Sequence, residues 1–216
     1  MTHPQTRDIA LDPTRSGLLF IDVQNFSVKR DGGEFGEVSD ADITGKYGYY
    51  FDRIKTTALP NMQKLQKGFR AAGIEVMYTT IESLTLDGRD RSLDYKITGF
   101  NVPKGSEDGK VVDEIAPVGD EIVFPKSSSS VFVSTHIDYV LRNLGISQLV
   151  LCGLLTDQCV ESAVRDACDL NYLVTLVPDA CATYSQQRHD HSLNTIAGYC
   201  RQVNTDNLLA EISRTG

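Results

Sequence analysis

The chain predicts an α/β fold: a three-layer α/β/α, Rossmann-like domain around a six-stranded parallel sheet. Three observations carry this. Short apolar runs and helix-periodic stretches alternate from end to end. The apolar runs are continuous rather than alternating with polar residues, as befits strands covered on both faces. Strand and helix in strict turn require right-handed crossovers that lay helices on both sides of a sheet. At 216 residues the chain is long enough to bury such a core, and residues 1–216 are read as one domain.

The elements follow in order. Gly17-Leu18-Leu19-Phe20-Ile21-Asp22-Val23 is a buried strand ending in an acid. Residues 49–72 form a helix with Phe51, Ile54, Leu59, Met62, Leu65 and Phe69 on one face, divided or restarted at Pro60 and stopped at Gly73. Ile74 to Thr80 is the second strand, and Glu121 to Pro125 a short third one, because Pro125 lacks a ladder donor. A helix from Thr135 to Leu144 stops at Gly145, and Gln148 to Cys152 is the fourth strand. A helix from Asp157 to about Leu170 precedes the fifth strand, Tyr172 to Val177. Arg188 to Ala197 is helical, Cys200 to Val203 the sixth strand, and Asp206 to Ile212 the closing helix. Residues 1–14 form an N-terminal arm. Residues 24–48 and 81–120 fit no element and leave from strand C-termini, where open parallel sheets bind ligands, so they are expected as loops over an active site.

Composition removes several function classes. A net charge of −8 argues against a nucleic-acid footprint. No apolar run is long enough to span a membrane, and Met1 to Arg7 does not read as a signal peptide, so a cytoplasmic location is expected. Five cysteines (152, 159, 168, 181 and 200), odd in number and without a CxxC pair, are poor material for a disulfide framework or a structural zinc site. Of the four histidines, none lies between 30 and 130. His189 and His191, two apart, cannot face one point on a helix and are expected to be exposed. No metal and no cofactor are expected.

Chemistry concentrates in Leu149-Val150-Leu151-Cys152-Gly153-Leu154-Leu155-Thr156-Asp157-Gln158-Cys159-Val160-Glu161-Ser162. This is a strand, a Gly-led turn and a helix start, with Ala163, Val164, Ala167 and Cys168 as the apolar face of that helix. Unpaired N–H groups and the macrodipole at a helix start favour thiolate, so Cys159 is the expected reactive thiol and the other four cysteines are expected to be sluggish. The same N–H groups suit a developing oxyanion. The plainer reading of Cys159 is a small buried hydrophobe. Asp22 and Lys126 end two further strands on the same sheet edge: Asp22 suits a proton acceptor, Lys126 a cationic neighbour of the sulfur. Singly, they read as a strand-end cap and a solvated lysine.

With these residues in view, the chain resembles the isochorismatase-like cysteine hydrolase superfamily from Leu18 to about Leu209. The matching motifs are Leu19-Phe20-Ile21-Asp22-Val23-Gln24, Phe124-Pro125-Lys126-Ser127-Ser128-Ser129-Ser130-Val131-Phe132, Gly153-Leu154-Leu155-Thr156-Asp157-Gln158-Cys159-Val160 and Asp179-Ala180-Cys181-Ala182-Thr183. The resemblance implies an Asp22–Lys126–Cys159 triad and a cis peptide at Leu154-Leu155 that aims the Leu155 and Cys159 N–H groups at an oxyanion. It also implies amide, ureido or N-carbamoyl hydrolysis through an acyl-enzyme, and a homodimer or homotetramer. The isochorismatases proper commonly lack the cysteine, so Cys159 favours amide cleavage over vinyl-ether cleavage. Nicotinamidases carry an Asp and two His after the second strand; here Thr79-Thr80-Ile81-Glu82-Ser83-Leu84 supplies one Glu, which disfavours nicotinamide and a bound metal. The family often has Ala where Leu155 stands.

Two alternatives accompany this expectation: a vinyl-ether hydrolase with Asp22 as the acid, and a non-catalytic partner-binding scaffold. For a substrate's anionic tail the candidates are Arg89 and Arg91, whose guanidinium groups suit carboxylate, although Asp87, Asp90 and Asp94 are there to pair with them. Phe132 is a pocket-lining candidate or a core residue. Gln24, Asn25 and Tyr95 are further substrate-binding candidates.

Overall fold

The computed structural model describes residues 6–215. Residues 1–5 of the expected N-terminal arm, His3 among them, lie outside the described residues. Strands β1 (Ser16–Ile21), β2 (Glu75–Ile81), β3 (Val123–Lys126), β4 (Gln148–Leu154), β5 (Leu173–Ala182) and β6 (Arg201–Gln202) form one parallel sheet in the order β3-β2-β1-β4-β5-β6. The helices are α1 (Asn25–Val28), α2 (Asp40–Gly45), α3 (Gly48–Arg53), α4 (Leu59–Ala71), α5 (Leu93–Thr98), α6 (Val131–Ser134), α7 (Ile137–Asn143), α8 (Glu161–Asp169), α9 (Gln186–Ile196) and α10 (Thr205–Thr215).

Every residue of β1 and β4 is buried, which is why both read as unbroken apolar runs. Leu19 lies between Met77 of β2 and Leu151 of β4 in the ladder. Helices α4 and α10 pack on each other and on the sheet, and α8 packs on β5 with α6 and α9 against it. The chain runs from β1 outward to β3, then crosses to β4 on the other side of β1. The point where strand order reverses, between β1 and β4, is where open α/β sheets bind ligands. Among the described residues no helix is long and apolar enough to cross a membrane.

Several boundaries differ from expectation, each for a physical reason. The helix over 49–72 is α3, a π-turn at Ile54–Ala58, and α4. Pro60 sits in the first turn of α4, where its missing N–H costs least. Strand β5 runs on through Pro178 to Ala182, because the β4 pairing is interrupted between Leu151 and Gly153 and β6 pairs only Thr175 and Leu176. Pro178 therefore stands at a bulge. Segments 24–48 and 81–120 are not structureless: they contain α1, α2 and α5, helices too short to leave a periodic signature.

One glycine makes the switch point possible. Gly153 has φ +130°, and a Cβ there would lie 2.2 Å from the Ile21 carbonyl oxygen and 2.6 Å from the Ile21 nitrogen. Gly153→Ala is therefore expected to cost at least about 2 kcal/mol in urea denaturation. Gly119→Ala, also at positive φ (+61°) but with no atom within 4 Å of the added Cβ, supplies the conformational part alone. Equal losses at the two positions would remove the argument from close approach.

Candidate active site

Asp22 follows β1 in the left-handed region, with φ +54°, a conformation that costs most side chains but is relatively open to Asp. Thr79 of β2 holds it there. The Asp22 N–H donates to the Thr79 carbonyl oxygen at 3.1 Å and to Oγ1 at 3.2 Å, and Thr79 Oγ1 donates to Asp22 Oδ1 at 2.6 Å. Lys126 ends β3 and is fully buried. Its Nζ donates to the Ser128 carbonyl oxygen at 2.8 Å, to Tyr95 Oη at 3.2 Å and to Cys159 Sγ at 3.5 Å. Asp22 Oδ2 lies 2.8 Å from the same Nζ, a buried ion pair.

Cys159 lies in a π-turn, Thr156–Val160, between β4 and α8. The Leu155 carbonyl accepts from Gln158 N at 3.1 Å and from Val160 N at 3.2 Å, on either side of Cys159. The Leu154–Leu155 peptide is cis. Leu155 is buried at the head of this turn.

The electrostatics correct one expectation. Burial pushes the Cys159 thiol up to about 12; the Lys126 ammonium pulls it down, and the Asp22 carboxylate adds to the rise. A helix-start field is worth at most a kcal/mol or two (about 2 in partly buried sites), which does not offset loss of water around a thiolate. The sulfur rests as a neutral thiol. Burial works against the charge of Lys126 too, but Asp22 foremost and then Cys159 outweigh it, and its pKa is raised. Burial also raises the Tyr95 phenol, which stays neutral 3.7 Å from Sγ. Cys168 is the one partly exposed cysteine, so it is more accessible to a reagent than buried Cys159.

The structure brings Asp22, Lys126, Cys159 and Tyr95 together and places the other candidates elsewhere. Gln24 is a buried staple: its Nε2 donates to the carbonyls of Ile81 and Asp108, both at 2.9 Å, and its Oε1 accepts from Ile81 N at 2.5 Å. Asn25 donates to the Glu107 carbonyl at 2.8 Å, closing the same seam. Arg89 pairs with Asp87 at 3.0 Å on an exposed turn. Arg91 spends its guanidinium on the carbonyls of Gly88 (2.9 Å) and Phe100 (2.7 Å). Both arginines thus serve their own loop. Phe132 leans on Tyr172, ring centroids 6.0 Å apart, near the N-terminal end of β5 and away from the strand ends that carry the cluster. His189 is not exposed: it is buried between Arg53 and Thr156.

Sequence reasoning missed Thr79 and the Ser128 carbonyl. Thr79 is a strand residue with no motif of its own, and a backbone acceptor leaves no trace in side-chain identity. The cavity of about 1010 Å³ lined by Arg7, Arg15, Cys168, Tyr172, Tyr199 and Cys200 lies at the opposite end of the strands, remote from this chemistry. Among the described residues no group of three His, Cys, Asp or Glu side chains converges to hold a metal ion.

Comparison with known proteins places the chain. The family model of the isochorismatase domain matches residues 16–207. The ureidoacrylate amidohydrolase RutB of Rhizobium rhizogenes is 29% identical, over 91% of this chain and 83% of the relative. That of Agrobacterium fabrum is also 29% identical, over 94% of each. Among solved structures, a cysteine hydrolase from Pseudomonas syringae pv. phaseolicola superposes with TM-score 0.83 at 22% identity and full coverage of both chains, a likeness of fold. The N-carbamoylsarcosine amidase of Thermoplasma acidophilum superposes with TM-score 0.68 at 26% identity, over 89% of this chain and 97% of that one. With the domain model spanning nearly the whole sheet and its helices, the chain belongs to the isochorismatase family.

Proposed function

We propose that this protein is a cysteine-dependent amidohydrolase cleaving a C–N bond of a small ureido, N-carbamoyl or linear amide substrate through a covalent acyl-enzyme, with Asp22, Lys126 and Cys159 as its triad. At the coarser level the chain is a hydrolase of non-peptide C–N bonds, as its ureidoacrylate amidohydrolase relatives and the N-carbamoylsarcosine amidase support. The observation that carries the finer reading is Lys126 Nζ, buried 2.8 Å from Asp22 Oδ2 and 3.5 Å from Cys159 Sγ.

In this mechanism Sγ attacks the substrate carbonyl as its proton passes to Asp22. The Lys126 ammonium keeps the cluster neutral overall while charge moves from carboxylate to sulfur to carbonyl oxygen. The N–H groups of Leu155 and Cys159 receive the oxyanion. As the tetrahedral intermediate collapses, Asp22 returns the proton to the departing nitrogen, the C–N bond breaks and ammonia or an amine leaves. Water then attacks the acyl-sulfur bond, giving one proton to Asp22 and finally to Sγ. A vinyl-ether hydrolase would need no sulfur beside the ion pair. A cytoplasmic homodimer or homotetramer completes the proposal; five free thiols suit a reducing compartment.

Ammonia release from ureidoacrylate, N-carbamoyl amino acids and simple amides tests the reading. Cys159→Ala is expected to abolish turnover, and Asp22→Asn to lower kcat roughly 10²–10⁴-fold. Turnover is expected to survive exhaustive chelation with EDTA. An active Cys159→Ala variant would reject the covalent route.

The raised thiol pKa gives a second test. Thiolate is the reactive form and becomes commoner as pH rises toward about 12. In a Cys168→Ser background without substrate, Cys159 alkylation by iodoacetamide is expected to climb about tenfold per pH unit between pH 7 and 10. Lys126→Met should lower the whole line, since the cation that favours thiolate is gone. A plateau near neutrality would mean a resting thiolate and leave Asp22 no proton to take.

A further inference from the structure

Helix α9 grips the turn that carries Cys159 at three points. Arg188 Nε donates to Asp157 Oδ2 at 2.5 Å, Ser192 Oγ contacts the Thr156 carbonyl at 3.2 Å, and His189 Nδ1 lies 2.9 Å from Thr156 Oγ1. The third contact has a feature the others lack. On its far side, His189 Nε2 lies 2.9 Å from Arg53 Nη2. Arg53 is fixed by β5, its Nε donating to the Cys181 carbonyl at 2.8 Å and its Nη2 to that of Pro178 at 3.1 Å.

A guanidinium has donors and no acceptor, so Nε2 must be the accepting nitrogen of the ring. The proton of a neutral imidazole is thereby forced onto Nδ1, which donates it to Thr156 Oγ1. Protonating Nε2 would set two donors against each other. Burial and then Arg53 drive the His189 pKa down to about 4, against the weaker pull of Asp190 and Asp157. The ring is thus a neutral bridge with one polarity, running from β5 through Arg53 to the first residue of the nucleophile turn.

We infer that His189 is a positioning residue of the reaction: as the Nδ1–H tautomer it locks Thr156, and with it the placement of the Cys159 sulfur and turn N–H groups against Lys126 and Asp22. This rests on the proposed role of Cys159. His189 touches neither sulfur nor substrate, so its contribution is to geometry, where a misplacement of about 1 Å can cost on the order of 100-fold in rate.

Two isosteric truncations separate the two ends of the bridge. His189→Asn can keep a donor near the Nδ1 position, whereas His189→Gln can keep an acceptor for Arg53 and gives up the Thr156 bond. With the best carbamoyl or ureido substrate of the ammonia screen, His189→Gln and Thr156→Val are expected to lose kcat about 10- to 100-fold with KM little changed. His189→Asn should stay within a few-fold of the parent, and the His189→Gln/Thr156→Val double variant should be no worse than either single one. Equal loss in the Asn and Gln variants, or loss that follows thermal stability alone, would overturn the inference.

A substrate-free measurement stands beside these. Long-range 15N–1H spectra of histidine-labelled protein at pH 7 should show His189 neutral and protonated on Nδ1, and an Nε2–H tautomer or an imidazolium would overturn it. Failure of the triad reading is seen separately, as activity retained in Cys159→Ala.

Discussion

The buried ammonium of Lys126 is the constraint on which the rest of the site depends. An isolated cation in the interior is prohibitively unfavourable, and it persists only if a counter-charge and hydrogen-bond acceptors surround it. Asp22 supplies the charge at 2.8 Å, and the Ser128 carbonyl supplies an acceptor at the same distance. Bringing Asp22 into range requires the chain to leave β1 through a left-handed residue, which Thr79 holds from the neighbouring strand. On the strand that leads to the sulfur, β4 passes so close to β1 that only a glycine fits at 153.

That dependence runs along the chain in a way that makes part of the site legible and hides the rest. Asp22, Lys126 and Cys159 are readable because each is a polar residue that ends or follows an unbroken apolar run, and in a parallel sheet all such ends lie on one edge. The sheet itself is readable for the same reason, since strands buried on both faces write their burial directly into composition. Tyr95 carried only a faint signal: α5 is six residues long and sits in a segment with no periodicity. His189 read as exposed because two histidines two apart on a polar helix start look solvated. What buries it is Arg53 and Thr156, which lie 136 and 33 residues away. Arg89 and Arg91 drew attention by chemical type, yet side-chain identity does not record which carbonyls a loop must satisfy, and Arg91 is occupied with those of Gly88 and Phe100.

The neutral thiol gives the site a particular economy. A permanent thiolate would stand as a second anion beside Asp22, competing with it for one ammonium in a dry interior. In the proposed mechanism the proton stays on sulfur until a carbonyl is in place, which leaves a single compact ion pair at rest. Of the five cysteines, Cys152, Cys181 and Cys200 are also raised by burial, but no ammonium donates to their sulfurs among the described contacts. Burial alone makes an inert cysteine. Burial beside an ion pair that can accept its proton is a different situation.

The surroundings of Lys126 bear on where that proton goes in the proposed mechanism. An ammonium has three N–H donors, and Lys126 Nζ has four acceptors around it: Asp22 Oδ2 and the Ser128 carbonyl at 2.8 Å, Tyr95 Oη at 3.2 Å and Cys159 Sγ at 3.5 Å. Tyr95 Oη lies 3.7 Å from the sulfur, and that contact acts to lower the thiol's pKa. Of the two carboxylate oxygens of Asp22, Oδ1 accepts from Thr79 and Oδ2 faces the ammonium. Lys126 thus links carboxylate and sulfur, and it is across this link that the proposed mechanism moves the proton from Cys159 to Asp22.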